Sequence, residues 1–144
     1  MVTIRPAFTS DINELVLMYK EVIKKVYPGK KLGSDYHFYK AVINWIDSGH
    51  DIVVTENNGI ISGFCMSYVD NMGGLIAPVY YCSEIFVKQE FRKTKAFFLI
   101  IKNVENIART KKMDLISDAI PEVIKLHEKI GGVLVTQRNI KEFT

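Results

Sequence analysis

Three strand-like segments follow one another between residues 51 and 87, and this succession restricts the folds that the chain can adopt. The first segment, 51–56, is joined to the second, 60–69, by Asn57-Asn58-Gly59, a sequence typical of a tight hairpin turn. The third segment starts near residue 79 and ends at residue 87. The hairpin predicts antiparallel pairing in the middle of the sheet.

The second half of the chain alternates helices with strands. The pattern predicts a helix over 94–112, a buried strand over 113–117, a helix that begins near Pro121 and ends at Gly131-Gly132, and a strand over 133–142. Alternation of this kind predicts parallel pairing. The hairpin and the parallel strands together therefore predict a mixed sheet.

The first fifty residues predict one strand and two helices. Residues 2–6 form a short strand, and Thr9 or Ser10 can cap a helix whose apolar stripe extends from Ile12 to Val26. A second helix is predicted over 36–48. The complete order is β-α-α-β-β-β-α-β-α-β, which is an α/β (α+β) fold.

Composition excludes several classes of protein. With 144 residues, 48% of them hydrophobic and 24% charged, the chain suits a single globular domain. A net charge of +3 without a nucleic-acid motif predicts no nucleic-acid partner, and no apolar run approaches the length of a membrane span. Cys65 and Cys82 lack metal-site spacing, so we expect free thiols, no metal and a cytoplasmic location.

A short basic turn separates the strand that ends at Val87 from the next helix. The amides at a helix N-terminus are unsatisfied and attract phosphate together with the helix dipole. Arg92, Lys93 and Lys95 add three positive charges at this place. The pattern predicts either a phosphate or pyrophosphate site or an ordinary solvated turn, and the residues alone leave both open.

The string Val-Lys-Gln-Glu-Phe-Arg at 87–92 resembles V-x-P-E-Y-R, which leads into the acetyl-CoA loop of the GNAT superfamily of N-acetyltransferases. Gln89 stands where proline is usual. Further segments resemble the family in the same order: 4–7 with Asp11, 57–63, Ala108 with 113–117, and 123–132. The resemblance implies one GNAT-like domain over residues 1–144, with a mixed central sheet and helices on both faces.

The resemblance also implies a cosubstrate site for acetyl-CoA. The main chain of the strand before the loop would hold the pantetheine arm, and the loop would hold the pyrophosphate. In the family loop, R/Q-x-x-G-x-G/A, glycine lets the backbone approach the ligand. Here the two glycine places hold Lys95, whose charge is a partial replacement, and Phe97, whose ring fits the apolar stripe of the helix. The implied cosubstrate residues are Ile85, Phe86, Val87, Arg92, Lys93, Thr94, Lys95, Ala96 and Phe97.

Direct transfer from the thioester to an amine needs a base and a proton donor. Glu84 is the carboxylate of the 79–87 strand, and regular alternation would place it on one face with Cys82 and Phe86. It is either the base or a solvated or lysine-paired carboxylate. His127 stands where the family usually has a tyrosine that protonates the leaving thiolate, and it is either that donor or a structural histidine. Tyr68, Tyr80 and Tyr81 are further donors.

Two functions therefore stay open. The first is an acetyl-CoA-dependent N-acetyltransferase that acts on an unidentified amine as a monomer or homodimer. The second is a catalytically silent GNAT-like domain that binds a protein or CoA, which the missing loop glycines and the missing tyrosine favour.

Overall fold

The computed structural model describes residues 1–118 and 137–138 of the chain. Three helices and six strands lie in these ranges. The helices are α1 (Ile12–Val26), α2 (Asp35–Asp47) and α3 (Ala96–Thr110). The strands are β1 (Val2–Pro6), β2 (Asp51–Asn57), β3 (Ile60–Asp70), β4 (Val79–Val87), β5 (Leu115–Asp118) and β6 (Gln137–Arg138).

All six strands form one sheet in the order β1-β2-β3-β4-β5-β6. The pairs from β1 to β4 are antiparallel, and β4–β5 and β5–β6 are parallel. The predicted mixed sheet is therefore confirmed. The helix predicted between Pro121 and Gly131 lies outside the described residues, as does most of the strand predicted over 133–142.

Two apolar cores lie on opposite faces of this sheet, so helices cover both faces as the resemblance implies. On one face α1 and α2 pack on side chains such as Val54, Phe64 and Phe86. On the other face α3 packs on Cys65, Cys82 and Val87 and on other alternate residues of the same strands. The alternation of β-strand side chains divides each strand between the two cores.

The start of α1 differs from the prediction. Thr9–Asp11 form a short 3₁₀ turn, and the residue at the N-cap position of α1 is Asp11 rather than Thr9 or Ser10. The Asp11 carboxylate accepts a hydrogen bond from the amide of Phe8 at 2.7 Å and pairs with Arg5 of β1 at 2.8 Å. The hydrogen bond from the Arg5 guanidinium lowers the pKa of Asp11. This ionised pair fixes the path from β1 into α1.

Candidate functional site

Over the last five residues of β4, the edge that faces β5 is not paired with any described strand, and we call this stretch the open edge. Pairing with β5 includes Tyr80, Tyr81 and Cys82, which lie opposite 115–117. From Ser83 to Val87, no described residue pairs with this edge. Within the described residues, the pairing of the two parallel strands therefore ends at Cys82, and the outer main-chain groups of β4 beyond it have no described strand beside them.

A β-bulge lies next to the last residue of β4 that pairs with β5. On β3, Met66 pairs with Glu84 and the next residue, Ser67, pairs with Cys82, so Ser83 is an extra residue on β4. A bulge bends its strand and increases the local twist. The bulge therefore changes the course of β4 immediately after the part that pairs with β5.

The bulge also corrects the face predicted for Glu84. Phe86, two residues further along β4, packs against α1 and α2, and so does Met66, the cross-strand partner of Glu84. Cys82 packs in the opposite core, under α3. Glu84 therefore shares a face with Phe86 but not with Cys82, because the extra residue reverses the alternation that a regular strand would have.

The main-chain groups of Ile85 and Val87 point to the open edge. Lys88 donates its amide hydrogen to the Ser62 carbonyl at 2.8 Å, towards β3, and successive residues point to opposite sides of a strand. Phe86 likewise faces β3, since its carbonyl oxygen lies 2.6 Å from where a Cβ on Gly63 would stand. Of the three residues expected to hold the pantetheine arm, Phe86 therefore has no main-chain group on the open edge.

Arg92 folds back on the end of β4. Its Nε donates to the Val87 carbonyl at 2.9 Å, and its Nη1 donates to Oε1 of Gln89 at 2.8 Å. The guanidinium also lies over the Phe86 ring, 5.7 Å from the centroid. Gln89, which replaces the proline of the family pattern, thus supplies a partner for Arg92. The charge of Arg92 lies beside the open edge rather than at the start of the next helix.

The first turn of α3 presents amide hydrogens to the same region. Those of Lys95, Phe97 and Phe98 meet no hydrogen-bond acceptor in the described part of the chain. The Thr94 hydroxyl donates to the Phe91 carbonyl at 2.5 Å and accepts from the Ala96 amide at 3.3 Å, so it builds the turn. Three unsatisfied amides at a helix start form an anion-binding arrangement.

The side chains around these amides explain how the turn forms without glycine. Lys95 has φ −79°, a conformation open to any residue, and its side chain is exposed, as is that of Lys93. Ala96 is buried, and Phe97 packs against the core beneath α3 as its place in the helical stripe predicts. Therefore neither Lys95 nor Phe97, the two residues at the glycine positions of the family pattern, requires a left-handed backbone here.

Glu84 lies on the face of the sheet that α1 and α2 cover, close enough to Tyr19 of α1 to act on it electrostatically. It is partly buried, and the nearby Tyr19 packs edge-on against Trp45 at 4.6 Å between ring centroids. Burial first, then the Glu84 carboxylate and then Tyr27, raise the pKa of Tyr19 to about 12. A carboxylate beside a neutral hydroxyl can accept a proton from an amine while the hydroxyl orients the ligand.

The candidate proton donors are differently placed. His127 lies outside the described residues. Tyr80 is buried and donates to Oδ2 of Asp51 at 2.6 Å, and burial followed by this hydrogen bond raises its pKa. Tyr68 and Tyr81 contact each other at 5.4 Å between ring centroids, beside the core that holds Phe86. Tyr80 is thus committed to Asp51, whereas Tyr68 and Tyr81 lie on the face of Glu84.

Two classes of feature are missing from the described ranges, 1–118 and 137–138. No three His, Cys, Asp or Glu side chains there converge as they would around a metal ion. No helix there combines the length and apolar character needed to cross a lipid bilayer.

Sequence reasoning missed Tyr19 and the Arg92–Gln89 pair. Tyr19 belongs to the apolar stripe of α1, so its electrostatic coupling to Glu84 is hidden by its contribution to packing. The available signal was that tyrosine, unlike phenylalanine, brings a hydroxyl group into a buried apolar stripe. For Gln89 the signal was the loss of the usual proline three residues before an arginine.

Several solved structures similar to the chain are acetyltransferases. One, from Clostridium acetobutylicum, is described as a predicted acetyltransferase with acetyl-CoA; it is 14% identical, with a TM-score of 0.74 over 99% of this chain and 98% of that one. Glucosamine-6-phosphate N-acetyltransferase from Arabidopsis thaliana is 16% identical, with a TM-score of 0.73 over 100% and 99% of the two chains.

An aminoglycoside N-acetyltransferase in complex with CoA is 22% identical, with a TM-score of 0.71 over 97% of this chain and 92% of that one. No model of a known protein family matches the chain. No curated protein sequence matches it either. At these identities the likeness concerns the fold, and it confirms what the resemblance implies: the chain has the fold of the GNAT superfamily of acetyltransferases.

Proposed function

We propose that the protein is an acetyl-CoA-dependent N-acetyltransferase that transfers the acetyl group directly to an amine while both substrates are bound. The observation that carries the proposal is the open edge of β4 between Ser83 and Val87, which leads into three unsatisfied amides at the start of α3. An extended amide-containing chain that ends in a diphosphate matches this sequence of groups, and the pantetheine arm of acetyl-CoA is such a chain.

Each part of the site has a separate task in holding acetyl-CoA. The main-chain groups of Ile85 and the amide of Val87 would pair with the pantetheine amides. The amides of Lys95, Phe97 and Phe98 would bind the diphosphate, with charge from Lys93 and Lys95. Thr94 and Ala96 shape the turn, Phe97 also anchors it to the core, and Arg92 holds the end of β4. Acetyl-CoA supplies the thioester carbonyl that the amine attacks.

Glu84 is the proposed base. It lies next to the bulge, just after the last pair between β4 and β5, and on the face of Tyr19 and Phe86. From there the carboxylate would remove a proton from the acceptor amine. The Tyr19 hydroxyl would orient the same amine. His127 is proposed as the donor to the leaving thiolate, with Tyr68 and Tyr81 as alternatives on the face of Glu84. The acetyl donor and the two cysteines outside any disulfide fit a cytoplasmic protein. We propose that it acts as a monomer or a homodimer.

A silent CoA-binding domain is the second candidate. It is favoured by the Val87 carbonyl, which is already bonded to Arg92 and is therefore not available to a ligand. The same domain would bind CoA and acetyl-CoA alike and would transfer nothing.

Thermal unfolding with acetyl-CoA and with CoA, followed by a thiol-release assay over a panel of amines, tests the proposal. A ligand at 100 times its Kd stabilises the folded state by about 2.7 kcal/mol. We expect stabilisation by both ligands and thiol release with at least one class of amine. Stabilisation without thiol release would favour the silent domain, and no stabilisation at millimolar ligand would contradict both.

The Glu84→Gln variant tests the assignment of the base. Loss of a general base costs about 10²- to 10⁴-fold in rate, whereas the amide preserves the shape of the side chain. We expect kcat to fall by about 100-fold or more with little change in acetyl-CoA affinity. Glu90→Gln is the matched control, because that carboxylate is exposed after β4. An unchanged rate in Glu84→Gln would remove Glu84 from the mechanism.

A further inference from the structure

The two cysteines of the chain lie in contact in the core beneath α3. Cys65 of β3 is 2% exposed and Cys82 of β4 is 3% exposed, and their sulfur atoms lie 3.3 Å apart. The sequence contains no other cysteine, so a disulfide within one molecule could join only these two. Neither thiol takes part in the function proposed above.

The pair spans the β-bulge. Cys65 lies opposite Ile85 of the open edge. Cys82 lies opposite Ser67 and is the last residue of β4 that pairs with β5, so the sulfur contact crosses the bulge diagonally. A covalent bond between the two sulfur atoms would therefore act at the junction between the paired part of β4 and the open edge.

Hydrogen bonds connect the thiols to an exposed carboxylate. Tyr80 donates its hydroxyl hydrogen to Oδ2 of Asp51 at 2.6 Å. Burial, followed by this bond, raises the pKa of Tyr80, and a hydrogen bond with the Ser67 hydroxyl acts in the opposite direction. Sγ of Cys65 lies 3.5 Å from Oγ of Ser67. The path thus begins at Cys65, passes Ser67 and Tyr80, and ends at the exposed Asp51.

The direction of the path is fixed, because each hydroxyl or thiol group has one hydrogen to donate. Ser67 donates to Tyr80, since only a donated bond favours the phenolate and opposes the rise in pKa. Ser67 therefore accepts from the Cys65 thiol, and the Cys65 sulfur in turn accepts from Cys82. The proton of Cys65 can leave towards Asp51, and the resulting thiolate lies against Cys82.

Burial restricts the oxidant that can reach this thiolate. The thiolate is the reactive form of cysteine, but a bulky disulfide reagent cannot enter a core in which both thiols are so little exposed. A peroxide is small and uncharged. We propose that Cys65 and Cys82 form a redox modification site, at which a peroxide converts the two thiols into a reversible disulfide.

The reaction balances in two steps. The Cys65 thiolate attacks one oxygen of hydrogen peroxide, the O–O bond breaks, and the departing hydroxide takes up the proton that Cys65 released, leaving a sulfenic acid and water. The Cys82 sulfur then attacks the sulfenic sulfur, and the displaced hydroxide leaves with the Cys82 proton as a second water. The two thiols lose two electrons, which the peroxide gains.

Thiol counting on the whole protein tests the site. Folded protein is treated with hydrogen peroxide, unfolded in a thiol-blocking reagent and weighed by mass spectrometry. We expect both thiols to be lost together with two hydrogen atoms, and both to return with dithiothreitol. Thiols that survive in the folded protein but oxidise in the unfolded protein would overturn the proposal, as would addition of oxygen without a disulfide.

Alanine variants distinguish the two thiols. In Cys82→Ala the sulfenic acid lacks a second thiol, so we expect it to accumulate on Cys65, where dimedone traps it. In Cys65→Ala the path to Asp51 is broken, and we expect Cys82 to react about tenfold or more slowly than Cys65 does. Equal rates in the two variants would contradict the direction of the path.

Asp51→Asn tests the end of the path. The amide still accepts the hydrogen bond from Tyr80 but does not take up a proton, so we expect disulfide formation to slow about tenfold or more. Asp47→Asn removes an exposed carboxylate at the end of α2 and is the matched control, for which we expect no change. Equal rates in the two variants would exclude Asp51 as the proton acceptor.

The effect on acetyl-CoA rests on the proposed function. A disulfide is about 2.05 Å long, so its formation draws the two strands together beside the open edge. We expect isothermal titration to show about tenfold weaker acetyl-CoA binding by the oxidised protein, restored by dithiothreitol. Equal affinities of the two forms would contradict this effect. If the reduced protein does not bind acetyl-CoA at all, the proposed function is wrong, whereas the thiol count still decides the disulfide.

Discussion

The guanidinium of Arg92 and the main-chain carbonyl of Val87 are joined by a hydrogen bond of 2.9 Å, which closes the turn between β4 and α3. Arg92 therefore acts on the strand that precedes it. Since Val87 is the last residue of β4, this bond fixes the end of the open edge next to the amides of α3.

Arg92→Lys separates the charge of Arg92 from its geometry. Lysine keeps the charge but lacks the planar group that bonds Val87 and Gln89 together. We expect a loss of about 0.5–1.5 kcal/mol in the free energy of unfolding and weaker binding of acetyl-CoA. Denaturant unfolding and isothermal titration measure the two effects. The control is Arg109→Lys, at the exposed C-terminal end of α3; equal behaviour of the two variants would contradict the role of this bond.

Gly63→Ala probes the contact between β3 and the end of β4. A Cβ on Gly63 would lie 2.6 Å from the Phe86 carbonyl oxygen and 3.0 Å from Cγ2 of Val87, so the end of β4 must move. We expect a loss of about 1–3 kcal/mol in unfolding free energy, together with weaker acetyl-CoA binding. Gly33→Ala is the matched control, because its Cβ would meet only His37 at an ordinary 3.7 Å. Native stability and affinity in Gly63→Ala would show that the added methyl group is accommodated.

Lys95 substitutions test whether glycine at this place would improve the site. Because Lys95 has an ordinary φ and an exposed side chain, we expect no steric relief from Lys95→Gly. Both Lys95→Gly and Lys95→Gln should weaken acetyl-CoA binding by up to about fivefold through loss of one charge. Titrations at low and high salt measure the effect, which salt should reduce. Tighter binding by Lys95→Gly alone would mean that the side chain crowds the ligand.

The pKa of Tyr19 reports its electrostatic coupling to Glu84. Its pKa of about 12 lies above the value near 10 of an unfolded tyrosine, so its contribution to stability is present below pH 10 and is lost as pH rises through 12. Glu84→Gln removes a negative charge and should lower the pKa of Tyr19. Ultraviolet titration, with Tyr19→Phe to identify the signal, measures this. An unmoved pKa would mean that the carboxylate and the hydroxyl are not coupled.

Most of the element order follows from local patterns. The alternating segments of 51–87 and the helical stripes around Ile12–Val26 and 94–112 each reflect side-chain periodicity, which local sequence contains. Phe97 illustrates this, since its place in the stripe predicted its burial and the structure confirms it. Helix starts were less predictable, because the residue that caps α1, Asp11, is held by Arg5 of β1.

The geometry of the site depended on one irregularity that local patterns do not contain. Ser83 becomes an extra residue only because of how β4 pairs with β3, so the sequence predicted regular alternation and the wrong neighbour for Glu84. The direction of Arg92 was also hidden, because a cationic side chain after a strand can point forwards to a helix or backwards to the strand. Long-range pairing decides both features.

The extra residue at Ser83 has a consequence for insertions and deletions in β4. Removing it would leave Cys82 and Glu84 as direct neighbours on opposite faces, so each side chain would keep its present core. The strand would, however, lose the irregularity that now follows its pairing with β5, and its last residues would take a different course. A deletion of one residue would thus preserve both hydrophobic cores while straightening the part of β4 on which the proposed cosubstrate site depends.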